Sequence, residues 1–460
     1  MSPFTRRSRA ASARGAFAAA CILLPLVLGA CGGHEPSSPA GPGDAAGESA
    51  SGPEGSDSPA PTLRELTRAA LQAHEQGDFA TFLEKERAAS ALVPAHPGLL
   101  YNVACGLALT GDAEGSLSAL NRLAGMGLSF DVAADGDLAS LRGPRLDAIA
   151  ERFRRNREPV VRSSVALRLD EKDFLPEGVA WDPVTRSIFV SSVHRGVIVR
   201  SGPGGKTSEL PPPSSDTRLG IQGMKVDAGR RRLWAGASSL PEVEGFTKEM
   251  KGRAAVLMYD LDHPAAPVIF DSPGDGAPHA FGDLALDPDG GVYVTDSFSP
   301  VVFRIPAGAT AMESWLRTEP YASLQGLAFT PDGSELIVAD YTRGLFAVSI
   351  ASREIRPLPG PENAALAGID GLYLHDGSLI GIQNGVRPHR VVRLRADAGL
   401  GRIVSLEVLE QGHPEYAEPT LGVVVGGDLL YVANSQWERF GGGASGGAGE
   451  APAPPVILRL

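Results

Sequence analysis

A mainly β chain, a six-bladed β-propeller behind a small α-helical unit, is what this sequence predicts, and three observations predict it. The first is a repeat. Glu177-Gly178-Val179-Ala180-Trp181-Asp182 runs into a turn and then into Ser187-Ile188-Phe189-Val190-Ser191. The same grammar returns at Gln222-Gly223-Met224, Asp283-Leu284-Ala285, Gln325-Gly326-Leu327, Asp370-Gly371-Leu372 and Thr420-Leu421-Gly422. Steps between Glu177, Gln222, Gly282, Gln325, Asp370 and Thr420 are 45, 60, 43, 45 and 50 residues. A four-stranded propeller blade takes about 40–50. The second observation is composition: 56 glycines and 37 prolines in 460 residues exceed the usual share and call for many tight turns. The third is a stretch from 62 to 156 whose apolar residues recur at helical spacing.

Before either folded part comes an address. Arg6, Arg7, Arg9 and Arg14 form a basic start, and Ala16 to Ala30 form an apolar run too short to span a bilayer. It ends in Leu28-Gly29-Ala30-Cys31, which resembles the bacterial lipoprotein signal. That resemblance implies a signal peptide over 1–30, lipid on Cys31 and a cell-envelope location, with the outer membrane favoured because Gly32 stands where an inner-membrane retention aspartate would be. Residues 31–61 are nearly all Gly, Pro, Ala, Ser and acids, so they read as a disordered tether. Thirty such residues reach about 30 Å. The formal charge of −12 argues against sequence-independent binding to nucleic acid. Three cysteines cannot make a disulfide framework, and Cys105, inside Val103-Ala104-Cys105-Gly106-Leu107, reads as a buried inert thiol.

The helical unit, 62–156, places Leu63, Leu66, Ala70, Leu71 and His74 on one face and stops at Gly77-Asp78. Thirty-four residues later Leu100, Ala104, Cys105 and Ala108 repeat that face and stop at Gly111-Asp112. This period and the run Tyr101, Ala104, Ala108, Gly111-Asp112, Leu117, Leu120 resemble the tetratricopeptide repeat. A closing helix is expected near Pro144–Phe153. Two repeats are fewer than such arrays need, so the unit should lean on something else. Two roles fit it: a groove for a protein partner, or a spacer packed on the following domain.

The propeller is expected over 164–460. Ser164–Leu169 is expected to pair with Val456–Leu460 and close the ring, and Leu240 to Arg253 fills the long step as an inserted loop, either a lid or a solvated surface segment. Other motifs are turn chemistry. Asp287-Pro288-Asp289-Gly290 lacks the rest of a calcium loop, and Gly443-Ala444-Ser445-Gly446-Gly447 lies in a glycine tract, not at a strand-to-helix elbow.

Inner strands of a propeller line its channel, so Glu177, Gln222, Gly282-Asp283, Gln325, Asp370 and Thr420 (or Glu418) should converge at one rim. Either the channel is simply wet, or carboxylate and amide oxygens there suit a hard divalent cation such as calcium, magnesium or manganese. At these residues the chain resembles the senescence-marker-protein/gluconolactonase family of six-bladed propellers, over about 164–460. The resemblance implies that Glu177 and Asp370 are metal ligands, that Asp370 is also the catalytic base, and that Gln325 stands where the family has an asparagine ligand. Gly282-Asp283 replaces the family's Asn-Asp, so one asparagine is lost. A metal-dependent lactone or ester hydrolase acting on a small molecule is then expected. Gln222 and Asp283 would bind substrate, together with Asp296, Asp340, Gln383, Asn384, Asn434 and Trp437 at the exits of the second strands. The alternative is a non-enzymatic envelope protein that binds partners or ligands through its helices and propeller.

Overall fold

The computed structural model describes residues 61–213, 218–440 and 452–460. The signal peptide, Cys31, the tether up to residue 60 and the 443–447 glycine tract lie outside them. No helix among the described residues is long and apolar enough to cross a membrane.

Five α-helices come first: α1 (Leu63–Glu75), α2 (Phe79–Leu92), α3 (Pro97–Leu109), α4 (Ala113–Gly125) and α5 (Pro144–Asn156). Their ends follow from single residues. Thr62 caps α1 and shares a capping box with Glu65. Gly77 and Gly111 take φ of +74° and +89° to end one helix, and the aspartate after each, Asp78 or Asp112, accepts an N–H of the next. The 34-residue period is therefore a period of stop and start signals. Between the helices Phe82, Tyr101, Ala104, Leu120, Leu123 and Phe153 form one core.

That core does not close on itself. It takes in Ala365 and Val386 from the propeller, so the two repeats lean on blade 5. Polar contacts fix the seam. Ser129 donates its backbone N–H to Arg387 O at 2.8 Å, and Val160 and Gln411 form an antiparallel bridge. Buried Arg390 donates through Nη1 to Met126 O at 3.1 Å and through Nε to Gln383 Oε1 at 2.6 Å.

The rest is six antiparallel four-stranded sheets. Their inner strands are Pro176–Asp182, Gly220–Asp227, Phe281–Leu286, Leu324–Phe329, Ile369–His375 and Gly422–Val425, for blades 1 to 6. The sixth blade is composite: Ser164–Arg168 pairs with Val456–Arg459 as its outermost strand. This is the expected closure, and it leaves no blade with an unclosed partner. Each blade interface is filled by aliphatic and aromatic side chains, for example Phe281, Val294 and Phe303 against Trp234 and Val256. Blade 2 carries the 240–253 insert between its second and third strands, and Leu240 and Val243 are buried there. Most of the remaining insert residues, among them Glu244, Thr247, Lys248 and Glu249, are exposed, so it is a surface segment anchored by two apolar side chains.

Around the axis the inner strands come close enough to exclude side chains. A Cβ on Gly178 would lie 2.4 Å from Gln222 O of blade 2, and one on Gly326 would lie 2.4 Å from Leu372 N and 2.5 Å from Asp370 O of blade 5. Hydroxyls then tie blade to blade: Ser191 Oγ donates to Gln222 O, Thr295 Oγ1 to Gln325 O and Thr420 Oγ1 to Glu177 O, at 2.7–2.8 Å.

Two stability predictions follow from these contacts. Gly326→Ala should destabilise the protein by about 3 kcal/mol in urea unfolding, because backbone atoms cannot give way. Gly136→Ala, where nothing lies within 4 Å, should change the midpoint little. The second concerns Glu86 on α2, which is 2% exposed, accepts one bond from Asn102 and leaves Oε2 without a partner. Burial pushes its carboxyl from the ordinary 4.5 up to about 7. Between those values the folded chain holds a proton that the unfolded chain lacks, so this residue's contribution to stability falls as pH rises through that window. Glu86→Gln should match wild type near pH 4 and become the more stable of the two by pH 8, measured by urea midpoints across that range.

Candidate active site in the propeller channel

The repeat's polar-glycine pair sits on a bulge. In blades 1 to 5 the inner strand slips register against the second strand across this pair: between Pro176 and Val179, Ile221 and Met224, Phe281 and Leu284, Leu324 and Leu327, and Ile369 and Leu372. A bulge re-aims side chains locally. It is the same device in five blades, and in four of them the polar residue comes first, whereas blade 3 reverses the order as Gly282-Asp283.

Two of the expected acids are brought together. Glu177 is 7% and Asp370 8% exposed. Burial, with the Asp370 charge beside it, drives the Glu177 carboxyl well above its ordinary range, although Trp437 Nε1 donates to its Oε2 at 2.9 Å. Asp370 is pushed up to about 7 by burial and by the nearby charges of Glu418 and Asp283. Asn384 Nδ2 donates to Asp370 Oδ2 at 2.7 Å, and Tyr341 Oη donates to Asn384 Oδ1 at 2.8 Å. This gives a chain of three groups from blade 4 through blade 5 into the channel. Glu418, on the entry to blade 6, is likewise raised to about 7 by burial, with Arg387 the cation that opposes the shift. Its backbone is left-handed, φ +71°, and its carbonyl accepts both the N–H and the Oγ–H of Ser435.

Deeper in the channel lies a second layer. Lys225 Nζ donates to Asp283 Oδ1 at 2.7 Å and sits 5.6 Å from the centre of the Tyr373 ring on the opposite blade. Asp283 Oδ2 and Gln222 Oε1 are buried acceptors without a protein partner. A buried acceptor left unpaired costs free energy, so both call for a donor or a cation in the channel. Gln325 faces the vacancy left by Gly282: a Cβ there would meet Gln325 Oε1 at 3.1 Å and Ser297 Oγ at 2.9 Å. Ser297 Oγ reaches Gln325 Oε1 at 3.4 Å.

Four of the expected substrate contacts are held by the protein itself. Asp296 accepts from Ala280 N, Phe298 N and Ser299 Oγ and pairs with His279 Nδ1 at 2.7 Å. Asp340 accepts from Ala322, Ser323, Thr342 and Arg343 backbone N–H groups. Gln383 donates to Ala365 O and Ala367 O and accepts from Arg390. Asn434 donates to Pro454 O and accepts from Val456 N. These side chains shape the loops that bear the site; their hydrogen-bonding capacity is spent there. Asn384 and Trp437, by contrast, touch the acids. His194 is also structural, through Glu242 O, and the carboxylates of Asp296 and Asp275 hold His279 above its ordinary pKa.

Lys225, Tyr373 and Arg387 were missed from sequence. A signal for the first two exists. Third after the polar position, the blades carry Ala180, Lys225, Ala285, Ala328, Tyr373 and Val423, so a lysine and a tyrosine stand out in a row of small and aliphatic residues. Arg387 has no such signal, because it comes from a loop placed by the helical unit.

Among the described residues, one group of three His, Cys, Asp or Glu ligand atoms lies within 4.8 Å of one another: Cys105, Asp135 and Asp137, in the helical unit. There Tyr101 Oη donates to Asp135 at 2.7 Å and His74 pairs with Asp137 at 2.9 Å, so the cluster is internally satisfied. The channel carboxylates do not close to that spacing as a trio. A cation among them would need amide oxygen as well, which Gln325 can offer.

No family model and no curated protein matches the chain. Solved structures do. A PQQ-bound aldose sugar dehydrogenase from Streptomyces coelicolor is 19% identical, covering 66% of this chain and 99% of its own, with a TM-score of 0.43. A gluconolactonase from Xanthomonas campestris is 16% identical over 65% of this chain and 95% of its own, TM-score 0.42. A luciferin-regenerating enzyme is 15% identical over 66% and 95%, TM-score 0.45. The structural neighbours of this chain thus include a gluconolactonase and related six-bladed propeller proteins.

Proposed function

We propose that the channel hydrolyses lactones or related small esters, and that the chain works at the cell envelope, tethered through lipid on Cys31. The observation that carries the first part is the concentration of buried acid at one rim: Glu177, Asp370 and Glu418, all raised by burial, above two unpaired acceptors on Gln222 and Asp283. Structural acids are usually neutralised by a paired base, and of these four acids Asp283 alone has one, Lys225. Perturbed carboxyls gathered in a cleft are a signature of chemistry. The anchoring is supported by the basic start, the apolar run and Leu28-Gly29-Ala30-Cys31.

The donor set is entirely oxygen, and its excess of negative charge fits a hard divalent cation held by Glu177, Gln325 and Asp370. When bound, such a cation would polarise the ester carbonyl. The chain's own residues do the rest. Asp370, held in place by the Asn384 Nδ2–H, takes a proton from water as that water adds to the carbonyl carbon. Collapse breaks the acyl–oxygen bond, and the departing oxygen takes the proton back, giving a hydroxy acid. Tyr341 holds Asn384 in register, and Trp437 orients Glu177. Lys225 neutralises Asp283.

Asp370→Asn should lower kcat/KM for a simple lactone such as γ-butyrolactone by about 100-fold or more, followed by pH-stat titration of released acid. Metal analysis of the soluble 62–460 chain should find about one equivalent of divalent cation, reduced in both Glu177→Gln and Asp370→Asn. A cation-free wild type of full stability, inert toward lactones, would leave the non-enzymatic reading in possession.

A further inference from the structure

The mouth of the channel is chemically lopsided. Over blades 4 and 5 stand polar groups: Tyr341, Asn384 and Arg387. Over blades 6, 1, 2 and 3, beside the acids Glu177 and Glu418, stands a cluster of hydrocarbon. Leu175, Val193, Leu240, Val243 and Ala280 form a buried apolar base at the rim, and Phe246, Phe298, Trp437 and Phe440 lie on it only partly covered. This base is built. The insert bearing Leu240, Val243 and Phe246 is closed at its base by Ser239 N to Arg253 O at 2.8 Å and tied to blade 1 from within by Glu244 N to His194 O at 2.8 Å. Asp296 fixes the turn that carries Phe298. Phe440 packs on the His194 ring, 4.9 Å between centroids.

The aromatic wall is continuous with the acids. Trp437 belongs to it through its ring and to the site through its Nε1–H bond to Glu177. A ligand whose reacting group sits between Glu177 and Asp370 therefore has an apolar surface beside it on one flank and hydrogen-bonding groups on the other. Partly exposed aromatic rings gathered at a pocket mouth gain free energy when a ligand's hydrocarbon covers them. We propose that the wall of Phe246, Phe298, Trp437 and Phe440 is an apolar subsite, and that the substrate is a lactone or ester bearing an alkyl or aryl substituent, not a bare polyol lactone. This rests on the hydrolase reading for the reacting group, but the subsite makes its own demand on binding.

The test is calorimetric titration of the soluble 62–460 chain, which contains both folded parts, with γ-butyrolactone, γ-hexalactone, γ-octalactone and γ-decalactone. Each added methylene should tighten Kd by about threefold until the wall is covered. Phe298→Ser, and separately Phe246→Ser, should flatten that dependence; circular dichroism melting checks that each variant folds, and Phe298→Leu should restore most of the slope. A wild-type series with no dependence on chain length, or a slope unchanged in both serine variants, would overturn the subsite. Acid release measured on the same series separates the two ideas. A chain-length gain in binding without turnover keeps the subsite and removes the hydrolase, whereas turnover of γ-butyrolactone without that gain does the reverse.

Discussion

Inner strands can meet around one axis only if their backbones approach to contact, and here the approach is made possible by a missing side chain. Gly178 and Gly326 each face a neighbouring blade's main chain at a distance no Cβ tolerates. The residue before each glycine, re-aimed by the bulge, is left to point elsewhere, and the open direction is the channel. Crowding of like charge is thus a by-product of closure. Glu177 and Asp370 are far apart in sequence, yet the symmetry that packs the blades also places each in the other's field. Folding tolerates the cost because the blade interfaces bury a large apolar area, and mutual repulsion of a few acids is small beside that.

Much of this was legible beforehand because the constraint recurs. A glycine after the polar position in four of six blades, with turn residues at fixed offsets, leaves a periodic trace, and the trace located the inner strands and the acids on them. What was not legible is what the acids touch. Lys225 meets Asp283 across a blade boundary and Tyr373 across the channel, and neither pairing has a local signal. Asp296, Asp340, Gln383 and Asn434 looked like substrate contacts because each ends a strand beside the rim. An aspartate there is equally the best acceptor for the N–H groups of a turn, and the structure gives Asp340 four of them. Sequence alone does not separate these uses, since both want an exposed-looking polar residue after a β run.

The helices bear on the same site from outside. Their short stack needed a support, as the repeat count implied, and the support is the 383–390 stretch of blade 5. Gln383 and Arg390 bond each other beneath it, Val386 enters the helical core, and Arg387 accepts the Ser129 N–H. Asn384, the residue that holds Asp370, lies in the middle. The loop is therefore clamped between an acid on one side and a helical unit on the other, and the spacer role accounts for the face of the helices that packs on blade 5.

The composite sixth blade also has a history during synthesis. Ser164–Arg168 leaves the ribosome before any other strand of the ring, yet its partner Val456–Arg459 is among the last to appear. Throughout translation of five blades this strand waits with unsatisfied main-chain groups, a sticky edge in a nascent chain. An exposed strand edge of this kind is a site where a nascent chain can pair with a stranger until the last strand arrives.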